Sequence, residues 1–261
     1  MSVQAPTPPP LPEDLDELLR RLRLPYIRSA APHVIATARS QRWEPADVLR
    51  VLLGEEATGR DQASIQARRK ASGLPTGKTL DAWQDDRSPI PKQTQQALRT
   101  LEWVERAENL CVCGPSGTGK SHWVEALGHH AIDQGHTVAW HTLESLAGLL
   151  RSHRADDSTT KAITKLTRAD LIIIDDVGLL PVFPDAAEAL FRVVDAAYEK
   201  RSIALTSNIH PAGFDELMPK TLAAATVDRL LHHAHVLITD GTESYRLAQA
   251  TAGEGVKPLG A

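Results

Sequence analysis

The sequence predicts an α/β fold with a parallel sheet, preceded by a small all-α domain, and three observations carry that expectation. From Asn109 onward, short apolar runs alternate with helical segments, the pattern of parallel strands joined by right-handed crossovers. The first run, "NLCVC", leads directly into "GPSGTGKS" (Gly114 to Ser121), a glycine-rich loop that opens a helix. Before Asn109 the apolar spacing is helical wherever it is regular.

Taken in order, "MSVQAPTPPPLP" holds five prolines in twelve residues and is expected to be a disordered tail, residues 1–12. "EDLDELLRRLRL" places acidic residues early and basic ones late, as a helix dipole prefers, with Leu15, Leu18, Leu19 and Leu22 on one face. A second helix is expected near Tyr26 to Gln41. A third follows "WEP", with Pro45 in its first turn and Val48, Leu49, Leu52 and Leu53 on one side. A fourth covers "DQASIQARRKA" and stops at Gly73 and Pro75. Residues 13–78 thus read as a helical domain with little core of its own. In 79–108, "KTLDAWQDDRSPIPK" lacks periodicity and reads as a linker whose Leu80 and Trp83 are free to pack on a neighbouring domain. "PKQTQQALRTLEWVERAE" reads as one helix. The strands "NLCVC", "TVAWH", "LIIIDD", "SIALTS" and "HVLIT" then define a domain over 109–250, and 251–261 reads as a second tail.

Composition narrows the classes. With 42% hydrophobic and 24% charged residues, the chain has the balance of a soluble globular protein. Its longest apolar runs, such as "LIII", are far too short to span a membrane, and no basic flank precedes an apolar core at the N-terminus, so a cytoplasmic location is expected. Cys111 and Cys113 alternate within one strand and read as two buried thiols rather than a disulfide. Net charge is −4, but Leu18 to Lys78 carries 12 basic against 5 acidic residues. A basic segment attached to an acidic one points to a nucleic-acid-binding arm, with Arg60, Arg68, Arg69 and Lys70 as phosphate contacts; the alternative is a solvated helical surface. No base-reading motif is present, so contact with duplex DNA is expected to be largely independent of sequence.

The loop fits G-x-x-x-x-G-K-S in the strand–loop–helix setting its chemistry needs. Backbone N–H groups of Gly114, Ser116, Gly117, Thr118 and Gly119 can wrap a phosphate chain, with Pro115, which has no N–H, in the same loop, and the helix N-terminus adds positive potential. Lys120 is expected to contact the β- and γ-phosphates of ATP, and Ser121 to coordinate Mg²⁺. "LIIIDDVG" ends in two carboxylates at the C-terminal end of a buried strand, where α/β sheets present ligand-binding groups. Asp175 is the natural second Mg²⁺ partner, and Asp176 stands where a hydrolytic base orients water. Asn208, closing "LTSN", is placed to hold the attacking water or the γ-phosphate.

The ordered set GPSGTGKS, LIIIDDVG, LTSN, DRLL and ESYR resembles the AAA+ ATPases of the helicase-loader branch. More closely, "LTSN", "LAAATVDRLLHHAHV" and "ESYRL", with "ARRKASGLPTGKTLDAW" and "LEWVERAENL", are similar to the IstB-type helper ATPases of bacterial insertion sequences, over about Arg20 to Leu247. The resemblance implies an AAA+ P-loop NTPase that hydrolyses ATP, forms ATP-dependent homo-oligomers on DNA and works with a partner transposase. It implies that Arg229 is an arginine finger acting on ATP held by the adjacent subunit, and that Arg246 touches the nucleotide in its own. One departure is visible. AAA+ proteins commonly end the second motif in Asp-Glu, and this chain reads Asp175-Asp176, one methylene shorter, so slower or partner-dependent hydrolysis is expected. A DnaC-type helicase loader, gripping a protein instead of DNA, is the alternative, with a small-molecule kinase a distant third.

"ATVDRLLHHAHVLI" also raises a metal question, since His232, His233 and His235 cluster there. A zinc site needs further ligands, and His233 would point about 100° away from a His232–His235 face on a continuing helix. The histidines are therefore read as packing and capping the end of the helix that carries Arg229.

Overall fold

A computed structural model describes residues 8–153, 158–178 and 184–239. Arg246, the tail over 251–261 and the first seven residues lie outside the described residues. The chain divides into two compact units, one up to Ala67 and one from Arg68 onward.

The first unit contains α1 (Glu13–Arg21), α2 (Pro25–Gln41) and most of α3 (Pro45–Ser72). Leu19, Ile27 and Ala31 form its small core, flanked by Leu15, Leu24, Ile35 and Leu52. The apolar stripes are only half used, because Leu18, Leu22, Leu49 and Leu53 are each more than half exposed. The expected third and fourth helices are one continuous helix of 28 residues. Gly59 does not break it; the Tyr26 ring lies against its Cα, where a Cβ would come within 2.3 Å, so the glycine serves close packing. Glu56, buried, caps the neighbouring helix by accepting from the N–H groups of Tyr26 and Ile27, both at 3.0 Å.

The second unit opens with α4 (Lys92–Arg99) and α5 (Glu102–Glu105), which replace the single helix expected there. The break lies at Leu101, at φ 61°, whose side chain is buried with that of Trp103. The Trp103 indole N–H donates to the Leu98 carbonyl at 3.0 Å, so burying two large side chains and one polar group offsets the strained turn.

Five strands follow: β1 (Asn109–Cys113), β2 (Val138–Thr142), β3 (Leu171–Val177), β4 (Ser202–Ser207) and β5 (Ala234–Ile238). They form one sheet in the order β2-β3-β4-β1-β5, with every pairing parallel. Helices α6 (Lys120–Asp133), α7 (Leu143–Ser152), α8 (Thr159–Leu166), α9 (Pro184–Ala197) and α10 (Lys220–Leu231) supply the crossovers. Alternation along β3 sorts the two faces. Ile172 and Ile174 join Leu146, Leu190, Val193 and Leu230 in the core under α7, α9 and α10. Ile173 points the other way, onto α6, where its Cδ1 approaches Gly128 so closely that a Cβ there would lie 2.6 Å away. Both faces being covered, β1 and β4 are buried along their whole length, which is why they read as continuous apolar runs.

Because all five strands run the same way, the residues that follow their C-terminal ends collect along one edge of the sheet. Cys113 pairs with Ser207, so Gly114 and Asn208 emerge side by side.

Candidate nucleotide site

The loop from Gly114 to Ser121 leaves β1 and enters α6 through Gly117 and Gly119, at φ 89° and 87°, a region open to glycine at no steric cost. Gly114 has a second constraint: a Cβ there would fall 2.4 Å from the Thr239 carbonyl, just beyond β5. Thr118 fixes the loop from inside, sharing a 2.8 Å hydrogen bond with the Thr239 hydroxyl and donating to the Pro115 carbonyl at 3.0 Å. Pro115 and Ser116 complete the crest of the loop.

Lys120, buried at the start of α6, aims its ammonium back over the loop. It donates to the carbonyls of Gly114 and Pro115, each at 2.7 Å, and to Asn208 Oδ1 at 3.1 Å. Ser121 donates to Asp175 Oδ1 at 2.8 Å, and Thr206 donates to the same oxygen. Ser121 and Asp175, the two residues expected to hold Mg²⁺, are therefore brought together. Magnesium binds oxygens at about 2.1 Å in octahedral geometry, so adjacent ligands sit about 3 Å apart. The Ser121–Asp175 separation fits, as does the hard-oxygen donor set.

Asp176 takes a different course from its neighbour. A bulge between Ile174 and Val177 interrupts the β3–β4 ladder, and Asp176 adopts φ 61° within it. Its N–H donates to Thr206 Oγ1 at 3.1 Å, while its side chain is exposed and Asp175 stays buried. The bulge re-aims one carboxylate toward solvent and leaves the other beside Ser121. Lys120, Ser121, Asp175, Asp176 and Asn208 thus gather at the strand ends.

Arg229 does not join them. It lies in the last turns of α10, donating to Asp195 Oδ1 in α9 at 2.9 Å and to the Ala225 carbonyl at 3.1 Å, with its guanidinium 5.7 Å from the Phe191 ring centre. Asp195 precedes the start of β4, whereas Asn208 follows its end. Six strand residues at about 3.3 Å each put Arg229 roughly 20 Å from the loop of its own chain.

The basic residues show mixed engagement. Arg60 pairs with Glu56 at 2.8 Å and donates to the Arg23 carbonyl at 2.7 Å, and Arg69 pairs with Asp133 at 2.6 Å. Lys70 is exposed and Arg68 half-buried. As consecutive helical positions, Arg68, Arg69 and Lys70 fan out about 100° apart instead of sharing a face.

The helix carrying Arg229 ends at Leu231, so the three histidines do not continue it. His232 caps α10 and shares a 2.8 Å hydrogen bond with the Tyr198 hydroxyl; His235 lies in β5 and pairs with Glu108 at 2.8 Å. Glu199, absent from the sequence argument, stands 3.8 Å from His232 and 4.0 Å from His233, all three exposed.

Three residues of the site were missed in the sequence. Thr206 bridges Asp175 to the Asp176 backbone, and its only signal was its place two residues before Asn208. Glu125, one turn after Ser121 in α6, is buried and pairs with Lys78 at 2.9 Å. Burial raises its pKa above the usual carboxylate range, Lys78 opposes that shift, and the nearby charge of Asp175 adds to it. Trp83, in the segment read as a linker, lies against the glycine-rich loop: a Cβ on Gly119 would come 3.0 Å from its ring. An acidic residue on the apolar face of α6 was the available signal for Glu125; Trp83 reads only as free to pack on a neighbouring domain, with nothing to place it at the loop.

The family of IstB-like ATP binding proteins matches residues 17–252. The chain is 34% identical over 238 residues to the ATP-binding protein of insertion sequence IS21 from Pseudomonas aeruginosa, covering 90% of this chain and 89% of that one. It is 32% identical over 239 residues to the corresponding protein of insertion sequence IS5376 from Geobacillus stearothermophilus, covering 91% and 95%. Among solved structures, AMPPCP-bound DnaA from Aquifex aeolicus superposes with a TM-score of 0.53 at 21% identity, over 70% of this chain and 57% of DnaA. A primosome component from Streptococcus pyogenes gives 0.51 at 20%, over 69% and 97%. These structural likenesses are of fold, the AAA+ P-loop architecture.

Proposed function

The chain belongs to the family of IstB-like ATP-binding proteins, and from that premise we propose that it is a transposition helper that hydrolyses ATP. It assembles with copies of itself on duplex DNA and recruits or stimulates a partner transposase. One observation carries the hydrolytic part of the reading: Lys120, Ser121, Asp175 and Asn208 interlock at the C-terminal ends of three adjacent strands. Lys120 neutralises the β- and γ-phosphates. Ser121 and Asp175 would hold Mg²⁺, whose role when bound is to draw charge from the phosphate oxygens. Asp176, turned outward by the bulge, orients water toward the γ-phosphate, with Asn208 holding its other side. Arg246 is assigned to the same nucleotide, from the resemblance alone.

The distance of Arg229 from its own loop supports a role on a neighbour's nucleotide. Half-exposed and held to Asp195, it is presented at the surface rather than spent in the core. Arg60, Arg68, Arg69 and Lys70 are proposed to meet DNA phosphates, all but the half-buried Arg68 being exposed. The insertion-sequence relatives, alike over nine-tenths of the chain, favour this reading over a DnaC-type helicase loader.

A mixing experiment tests it. Lys120→Ala and Arg229→Ala are each expected to lose ATP turnover by about a thousand-fold in the presence of duplex DNA. Mixed in equal amounts they should recover a substantial fraction, because some sites then combine an intact loop with an intact arginine. Absence of recovery, with both variants folded and still associating on duplex DNA in light scattering, would refute a finger supplied by a neighbour. Absence of association by the wild type with ATP, Mg²⁺ and duplex would refute the helper reading as a whole.

A further inference from the structure

We propose that Trp83 is the wall on which the nucleotide's base stacks, making the site selective for purines; the inference rests on the ATP-binding reading above. The phosphate loop and the Mg²⁺ residues account for the triphosphate only. A nucleoside joined to it must lie beside the loop, and a cleft opens there, lined by Trp83, Gln84, Arg87, Thr118, Gly119 and His122. Three of these, Thr118, Gly119 and His122, belong to the loop and the first turn of α6, so cleft and loop are continuous.

The indole is fixed in place. Its N–H donates to Gln95 Oε1 at 2.9 Å. Gln95 is buried, and its amide nitrogen donates to the carbonyls of Ile90 at 2.7 Å and Asp85 at 3.2 Å, so one side chain ties the segment down at three points. Further ties come from Arg99 to Asp85 at 2.5 Å and from the contact of His122 Nε2 with the Thr79 carbonyl at 3.3 Å. His122 meets the Trp83 ring edge-on, with centres 5.1 Å apart, and Trp123 backs it at 5.2 Å. A flat apolar ring held rigidly costs little entropy when a base settles on it.

Stacking tolerates any base but grows with ring area, so purines gain over pyrimidines, and adenine and guanine should be nearly equivalent to Trp83 itself. The test measures equilibrium binding, with Mg²⁺, of ATP, GTP, CTP and inorganic tripolyphosphate to the full chain and to Trp83→Ala, Trp83→Leu and Trp83→Phe. Wild type should prefer ATP and GTP to CTP by about ten-fold. Trp83→Ala and Trp83→Leu should weaken ATP about ten- to a hundred-fold and erase the preference, leave tripolyphosphate unchanged, and be largely rescued in Trp83→Phe. Equal weakening of ATP and tripolyphosphate would mean that Trp83 only supports the loop, and would overturn the proposal. So would unchanged ATP affinity, or a wild type that binds CTP as well as ATP. Should Trp83→Ala fail to fold, the leucine–phenylalanine pair and the wild-type preference still decide. A wild type that binds tripolyphosphate and no nucleotide better would defeat the base wall alone, whereas one that binds none of them would defeat the ATP-binding reading itself.

Discussion

Thr206→Val probes the joint between the two carboxylates. The hydroxyl of Thr206 is buried, donates to Asp175 Oδ1 and accepts from the Asp176 N–H at 3.1 Å. Valine keeps the shape and removes both bonds. A hydrogen bond to a charged group contributes about 1.5–3 kcal/mol, and an amide left without an acceptor costs about 1–3 kcal/mol more. Solvent can reach the exposed side of Asp176, so the lower half of each range applies, and the expected loss is about 3 kcal/mol. For a chain of this size that corresponds to a fall in Tm of about 6–12 °C. Thr206→Ser keeps both bonds and loses only a methyl group, about 1 kcal/mol. Denaturant titration of the three proteins without nucleotide, compared at constant m, measures the difference directly. A Thr206→Val loss within about 0.5 kcal/mol of wild type, or a Thr206→Ser protein as unstable as Thr206→Val, would show that the hydroxyl bridges nothing of consequence.

Two further outcomes are expected. Glu108 accepts from Arg106 and His235, which hold its carboxyl down at about 2 from a usual 4.5. A group with a depressed folded pKa adds stability above the unfolded value and loses it as pH falls through the folded one; wild type should therefore lose stability relative to Glu108→Gln between pH 4.5 and 2, and parallel acid-denaturation curves would refute the pairing. Burial raises the pKa of Cys113 to about 11 and that of Cys111 further, so neither thiol should react with a disulfide reagent at pH 8 in the native protein, and both should after unfolding; prompt labelling of the folded chain would contradict the buried β1.

What could be read before the structure followed a simple division. "SIALTS" predicts Ser202–Ser207 to the residue, because a strand covered on both faces leaves an unbroken apolar run between polar ends. The phosphate loop, Asp175 and Asn208 were legible for a related reason: parallel strands deliver whatever follows them to one edge. The features that escaped depend on partners far along the chain. The third and fourth helices read as separate, yet they are one, and it is the Tyr26 ring that makes Gly59 a packing position within it. Leu101 looked helical, and it is the joint burial of Leu101 and Trp103 that ends α4. The segment around Trp83 lacks periodicity because Gln95, twelve residues on, orders it through side-chain bonds that no spacing rule encodes. The histidine phrase is weighed against a continuing helix, although "HVLIT" reads as a strand; the helix ends at Leu231 and His235 lies in β5, as that strand expects.

The separation of Arg229 from the glycine-rich loop also bears on the geometry of assembly. If Arg229 serves a neighbour's nucleotide as proposed, its separation from the loop suits a head-to-tail contact, the arginine surface of one copy meeting the loop surface of the next. In an open row built this way, each joint would complete one nucleotide site and leave one arginine and one loop spare at the two extremities. Unless it closed into a ring, such a row would carry one unfinished site whatever its length. The fraction of competent sites therefore rises with the number of subunits, and short rows waste the most. A row growing along DNA would hydrolyse more ATP per subunit as it lengthened, and hydrolysis at internal joints would cut it into pieces that each regain an idle end.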